Sequence, residues 1–90
     1  MNYTVEALRE IYHCLYGMNL EAATDEYLEF YEGEYAPENA LHDDQTSDGV
    51  LRALFRLVGE ILDDTGDEDL TREWLRNAGA DDALIALCGL

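Results

Sequence analysis

The chain contains no lysine, and its five basic residues, all arginines, stand against 21 Asp and Glu residues in a total of 90. The formal net charge at neutral pH is −16. Nucleic acid and anionic membranes would repel such a chain, so neither is expected as a direct partner. No apolar run approaches the roughly 18–20 residues of a membrane span, and the N-terminus lacks the basic-then-apolar pattern of a secretion signal. These absences predict a cytoplasmic protein whose partner carries positive charge.

Cysteine and histidine are scarce and poorly spaced for metal binding. Cys14 and Cys88 form no Cys-x-x-Cys pair, and we expect both to be small buried hydrophobes rather than a disulfide. His13 and Cys14 are adjacent and project about 100° apart on a helix. With His42 and Cys88 they offer no second closely spaced pair of zinc ligands. We therefore predict no metal site, with His13 at the edge of the core.

Catalytic and calcium-binding motifs are also lacking. The acidic turn 63–69 fails the helix–loop–helix calcium pattern, because the first ligand position falls on Ile61 when Gly66 takes the glycine position. No phosphate-binding loop, nucleophile elbow or His-Glu-x-x-His motif occurs. The sequence predicts a protein that is not an enzyme and needs no cofactor.

Hydrophobic residues make up 48% of the chain, enough to close a core, and their spacing predicts an all-α protein. We expect a single acidic domain over residues 1–90, folded as a compact bundle of four to five short helices. The first helix is predicted at Val5–Tyr16, capped by Thr4 and ended by Gly17. The second is predicted at Leu20–Glu32, capped by Asn19 and ended by Gly33.

The rest of the chain predicts a loop followed by three helices. Residues 33–47 contain the only proline, Pro37, and are interpreted as a loop with one short turn after it. Ser47 is then expected to cap a strongly apolar helix, 48–63, which indicates neighbours on several sides or a second copy of the chain. Two shorter helices are predicted at 68–78 and 81–88, the latter amphipathic and packing on the core through Leu84, Ile85, Leu87 and Leu90.

Negative charge is concentrated between Arg9 and Arg52, an interval with 11 carboxylates and no basic residue. On the predicted second helix, four of these carboxylates would fall within roughly 80° of one another. Like charges four residues apart destabilise a helix by about 0.2–0.5 kcal/mol per pair, so the pattern favours surface potential over stability. We predict a partner-binding surface formed by Glu21, Asp25, Glu26, Glu29, Glu32, Glu34, Tyr35, Glu38, Asp43, Asp44 and Asp48.

Aromatic residues lie among these carboxylates. Helical spacing predicts that Tyr27, Phe30 and Tyr31 face the core. Tyr35 falls in the predicted loop, so we expect it to be an exposed aromatic anchor of the kind that contributes binding energy at interfaces.

A small, lysine-free, strongly acidic helical chain with a basic-free middle resembles the phage-encoded DNA mimics, especially the anti-CRISPR proteins. The resemblance implies a non-catalytic inhibitor whose acidic residues occupy the DNA-binding groove of a CRISPR surveillance complex in the bacterial cytoplasm. Carboxylates three or four residues apart on a helix are spaced about 4.5–6 Å along its axis. A DNA strand carries one charge per about 3.4 Å, a comparable length scale.

Two other classes remain open. Bacteriocin immunity proteins are also small acidic helical bundles, which neutralise a basic nuclease toxin, and residues 42–50 resemble their acidic loop. Their tyrosine pair followed by proline is absent, because Ala36 separates Tyr35 from Pro37. The third class is an acidic adaptor of a salt-loving organism, for which carboxylates would be spread evenly rather than segregated. A monomer is favoured over a homodimer.

Overall fold

The computed structural model describes residues 3–22, 31–41 and 46–90, which contain helices and no strand. Six helical segments are present in these ranges, because the predicted turn after Pro37 forms a helix of its own. The prediction of an all-α bundle is confirmed. The segments are α1 (Val5–Ala22), α2 (31–35), α3 (Pro37–Ala40), α4 (Ser47–Thr65), α5 (Glu68–Asn77) and α6 (Asp82–Leu87).

Helix α1 begins where the sequence predicts but extends farther. The Thr4 hydroxyl accepts a hydrogen bond from the Ala7 N–H at 3.0 Å, as expected of an N-cap. The prediction that Gly17 ends the helix is wrong, since α1 continues to Ala22 and Gly17 has no positive φ. Asn19, predicted as the next N-cap, is instead buried within α1. Hydrophobic residues beyond the glycine, including Met18, pack against the core, and this packing stabilises the extra turns of the helix.

The predicted second helix is wrong at its start, because residues 20–22 belong to α1, and residues 23–30 lie outside the described ranges. Its end is also wrong. Gly33 does not stop the helix, and residues 33–35, predicted as loop, are helical in α2. Pro37 begins α3, as the proline predicts. The Asn39 side-chain amide donates to the Gly33 carbonyl at 2.8 Å, which joins α3 to α2.

Helices α4, α5 and α6 lie within two residues of their predicted bounds at each end. The side chains of Thr46, Asp67 and Asp81 cap the three N-termini, so Thr46 rather than the predicted Ser47 caps α4. Gly66 ends α4 in the left-handed conformation, at φ 63°. Side-chain caps and a left-handed glycine therefore set the helix ends in this half of the chain.

The core lies between α1 and α4, and α4 also contacts α5, as its broad apolar face predicts. The prediction that Leu87 packs on the core is wrong, since this residue is 44% exposed.

No described helix is long and apolar enough to cross a bilayer. Among the described residues, the fully buried large side chains are Leu8, Tyr12 and Leu15 of α1, Tyr31 of α2, Leu41 at the end of α3, Val50, Leu54, Leu57, Val58 and Ile61 of α4, Leu75 of α5 and Leu84 of α6.

Candidate acidic interaction surface

Three tyrosine rings stack between α1 and α2. The ring centroid of Tyr31 lies 4.9 Å from that of Tyr16 and 5.9 Å from that of Tyr35. The Tyr31 hydroxyl donates to the Tyr16 carbonyl at 3.0 Å. The Tyr12 hydroxyl donates to the Tyr35 carbonyl at 2.7 Å. Stacking and buried hydrogen bonds together fix α2 against α1.

Tyr35 is not the exposed anchor that the sequence predicted. Its side chain is 8% exposed, because the helical backbone of α2 turns it toward the core. The hydroxyl donates to a carboxylate oxygen of Glu60 on α4 at 3.3 Å. The signal that was missed is the four-residue spacing of Tyr31 and Tyr35, which places both on one helix face. The expectation that Tyr31 faces the core is confirmed, while Tyr27 and Phe30 lie outside the described residues.

The phenols of Tyr12, Tyr16 and Tyr31 have pKa values above the ordinary value, so they remain neutral at physiological pH. Burial raises the pKa of Tyr12 and of Tyr31 well above the usual 10. Burial also raises the pKa of Tyr16, with a further contribution from the negative charges of Glu32 and Glu38. Both carboxylates therefore act on the same phenol, that of Tyr16.

The structure exposes every described carboxylate of the basic-free interval: Glu10, Glu21, Glu32, Glu34, Glu38 and Asp48. We use the name acidic surface for the three on α2 and α3, which are Glu32, Glu34 and Glu38. Glu21 lies at the end of α1 and Asp48 in the first turn of α4. The remaining predicted carboxylates lie outside the described residues: Asp25, Glu26, Glu29, Asp43 and Asp44.

Arg56 of α4 reaches the acidic surface. Its guanidinium lies 3.0 Å from a carboxylate oxygen of Glu34, and both side chains are at least half exposed. The same group lies 5.8 Å from the centroid of the Tyr35 ring, within reach of a cation–π contact. An exposed pair of this kind contributes about 0–1 kcal/mol. Among the described residues, Glu34 is the carboxylate of the basic-free interval that forms an ion pair.

In the C-terminal half, by contrast, arginines pair with nearby acids. Arg72 bonds Asp69 one turn before it, and Arg76 lies 3.6 Å from Asp82 of α6. The carboxylate of Asp67, in the turn considered for calcium, accepts from the Leu70 N–H. Charge in this half is therefore partly compensated and partly used in capping.

The two cysteines differ in exposure. Cys14 is exposed, because it lies on the face of α1 away from the core, and the expected burial of this residue is wrong. His13 beside it is exposed as well. Cys88 is partly buried, which raises the pKa of its thiol to about 11. Both cysteines are free, and within the described ranges no three His, Cys, Asp or Glu side chains come together as metal ligands.

Comparison with protein-family models, curated proteins and solved structures finds no match to this chain. Its function is therefore inferred from the charge, exposure and support of the acidic surface.

Proposed function

We propose that this protein is a non-catalytic inhibitor that mimics the charge of DNA and blocks the DNA-binding groove of a nucleic-acid-binding complex. The favoured target is a CRISPR surveillance complex, as for the anti-CRISPR proteins that the sequence resembles. One observation supports the proposal above all. All six described carboxylates between Arg9 and Arg52 are exposed, in an interval without any basic residue.

The helices that carry the acidic surface are also packed against the rest of the protein. Tyr31 is fully buried between Tyr16 and Tyr35, and α2 is tied to α1 and α3 through hydrogen bonds. The backbone that carries these carboxylates is therefore already packed before a partner binds, which lowers the entropy lost on binding.

The mechanism is competition. Lysines and arginines that normally contact phosphates would pair with Glu32, Glu34 and Glu38, and DNA would be excluded sterically and electrostatically. The net charge of −16 would raise the rate of encounter with a basic groove. Added salt screens this attraction, so the affinity should fall with ionic strength.

The first test is a pull-down from bacterial lysate with the tagged protein, washed at low and high salt and repeated with competing duplex DNA. Recovery of a DNA-binding complex that is lost to salt and to DNA supports the proposal. Recovery of a basic nuclease that still binds when DNA occupies sites outside its active centre would favour an immunity protein. Recovery of no nucleic-acid-handling protein would contradict both.

Two matched variants then locate the surface. Glu32→Gln/Glu34→Gln/Glu38→Gln removes three charges from the acidic surface. The control Asp63→Asn/Asp64→Asn/Glu73→Gln removes three exposed charges from α4 and α5. We expect the first to weaken partner binding about tenfold or more and the second by less than about threefold, because short-range pairing adds to general attraction. Equal losses would mean that net charge alone determines binding.

A further inference from the structure

A groove of about 250 Å³ opens between Tyr3, the start of α4 and the end of α6. Leu8, which is 1% exposed and belongs to the core, lies at its floor. Leu51 and Leu87 supply further apolar lining. The groove is therefore a place where the surface opens onto the hydrophobic core.

Leu87 is the large hydrophobic residue that stands out as exposed in the described ranges, at 44%. Its neighbours Leu84 and Ile85 point into the core, so α6 is already anchored without it. An exposed leucine at the edge of an apolar groove marks an interaction site more strongly than a scattered surface leucine does.

The wall of the groove is preformed. The Tyr3 hydroxyl donates to a carboxylate oxygen of Asp81 at 2.6 Å, and the same oxygen accepts from the Leu84 N–H. The hydrogen bond with Asp81 raises the pKa of Tyr3 to about 12 and lowers that of Asp81. The phenol wall is thus tied to the cap of α6.

The charge at the groove is negative. Asp48 is the charged residue in the described lining and is exposed. Arg52, one turn farther along α4, does not line the groove. A cation beside the groove is therefore favoured over an anion.

We propose that the groove receives one aliphatic or aromatic side chain of the basic partner, with a neighbouring Lys or Arg that pairs with Asp48. The flanking cation rests on the proposed function, whereas the apolar side chain follows from the groove itself. A volume of about 250 Å³ lies below the roughly 300–1,000 Å³ of small-molecule sites, which suits a single side chain.

The apolar side chain in the groove would contribute binding affinity that salt does not screen. Attraction between exposed charges is screened by salt, whereas burial of an apolar side chain is not. A buried anchor surrounded by weaker polar contacts is the usual arrangement at interfaces. The complex should therefore keep a salt-resistant part of its affinity.

The test is an NMR titration of the ¹⁵N-labelled chain with three synthetic peptides. The first has a central Phe flanked on each side by four Lys or Arg residues, the second replaces this Phe with Ser, and the third keeps Phe between neutral Gly and Ser residues. We expect the basic Phe peptide to shift the amides of Ser47, Leu51 and Leu87 and to bind about tenfold more tightly than the Ser peptide. The neutral peptide should bind more weakly than the basic Phe peptide.

A pair of variants checks the location. Leu87→Ala should abolish the preference for Phe over Ser. Leu62→Ala, at the other end of α4 and also partly buried, should retain it. Urea unfolding of both variants shows whether each remains folded.

Three outcomes overturn the inference: equal affinity for the Phe and Ser peptides, equal affinity for the basic and neutral Phe peptides, or shifts of the groove amides on raising protein concentration alone. The last would assign the groove to a second copy of the chain. None of these outcomes determines the result of the lysate pull-down. The peptide titration tests the groove and the pull-down tests the proposed function, so the two proposals can fail separately.

Discussion

The N-terminal and C-terminal halves of this protein are held by different kinds of interaction. Around α1 and α2, tyrosine rings and hydroxyls make contacts between residues 15 to 25 positions apart. In α4 to α6, helix ends follow side-chain caps and glycines, and two arginines pair with carboxylates close in sequence. The half that carries the acidic surface therefore depends on long-range packing, whereas the other follows local rules.

The largest expected effect comes from the tyrosine stack. Tyr31→Ala removes a fully buried ring that contacts Tyr16 and Tyr35, and should lower the free energy of unfolding by about 3–5 kcal/mol in urea titrations. Leu84→Ala, at a fully buried leucine of the C-terminal half, should cost about 2–5 kcal/mol. A cost below about 1 kcal/mol for Tyr31→Ala would show that the stack does not support the acidic surface.

Tyr12→Phe tests one hydrogen bond within the same half. Loss of the hydroxyl that donates to the Tyr35 carbonyl should cost about 1–3 kcal/mol, since both groups are buried. The effect should also depend on pH. The folded-state pKa of Tyr12 lies above 10, so its contribution to stability is present below pH 10 and is lost as pH rises beyond it.

The measurement for this dependence is urea unfolding from about pH 8 to pH 11. The wild-type protein should lose stability above pH 10 more steeply than Tyr12→Phe, which has one fewer buried phenol. Val58→Ala, which removes no phenol, should retain the wild-type slope. Identical slopes in all three proteins would contradict the assigned role of Tyr12.

Replacement of glycine by alanine should have opposite effects on stability at one position in each half of the chain. Gly17→Ala should stabilise the protein by about 0.5–1 kcal/mol, because Gly17 lies inside α1 and a methyl group there meets no atom within 4 Å. Gly66→Ala should destabilise by about 1–2 kcal/mol, because Gly66 is left-handed. If thermal unfolding showed that Gly17→Ala destabilises the protein, the result would support the shorter predicted helix that ends at Gly17.

The smallest effect on stability is expected where the halves meet. Arg56→Gln should change the free energy of unfolding by less than about 1 kcal/mol, because its pair with Glu34 is exposed. It should strengthen partner binding severalfold, since Glu34 would no longer be paired within the protein. Arg52→Gln on the same helix makes the same charge change at a residue without an ion pair to the described carboxylates. Equal gains from both variants would show that only net charge matters.

The C-terminal helices could be predicted from the sequence because their signals are local. Asp67 and Asp81 precede apolar periodic segments, and Gly66 and Gly79 mark helix ends. In the N-terminal half the same rules succeeded for the helix starts at Thr4 and Pro37 but failed at Gly17 and Asn19. Gly17 and Asn19 are a plausible stop and cap in isolation, but the core contacts of α1 extend past both of them.

The acidic surface could be predicted only in part. Exposure of Glu32, Glu34 and Glu38 follows from charge alone, because unpaired carboxylates are costly to bury. The contact of Arg56 with Glu34 joins residues 22 positions apart, and no periodicity in the sequence indicates it. The burial of Tyr35 depended on whether residues 33–35 were helical, which the glycine obscured.

The unbalanced exposure of carboxylates gives salt two opposing effects. Ions screen the mutual repulsion of the negative groups, within a Debye length of about 10 Å at 0.1 M salt, and so favour the folded chain. The same ions weaken attraction to the proposed basic partner. Binding to the proposed partner should therefore be strongest at an intermediate ionic strength, high enough to favour the folded chain and low enough to preserve the attraction between the two proteins.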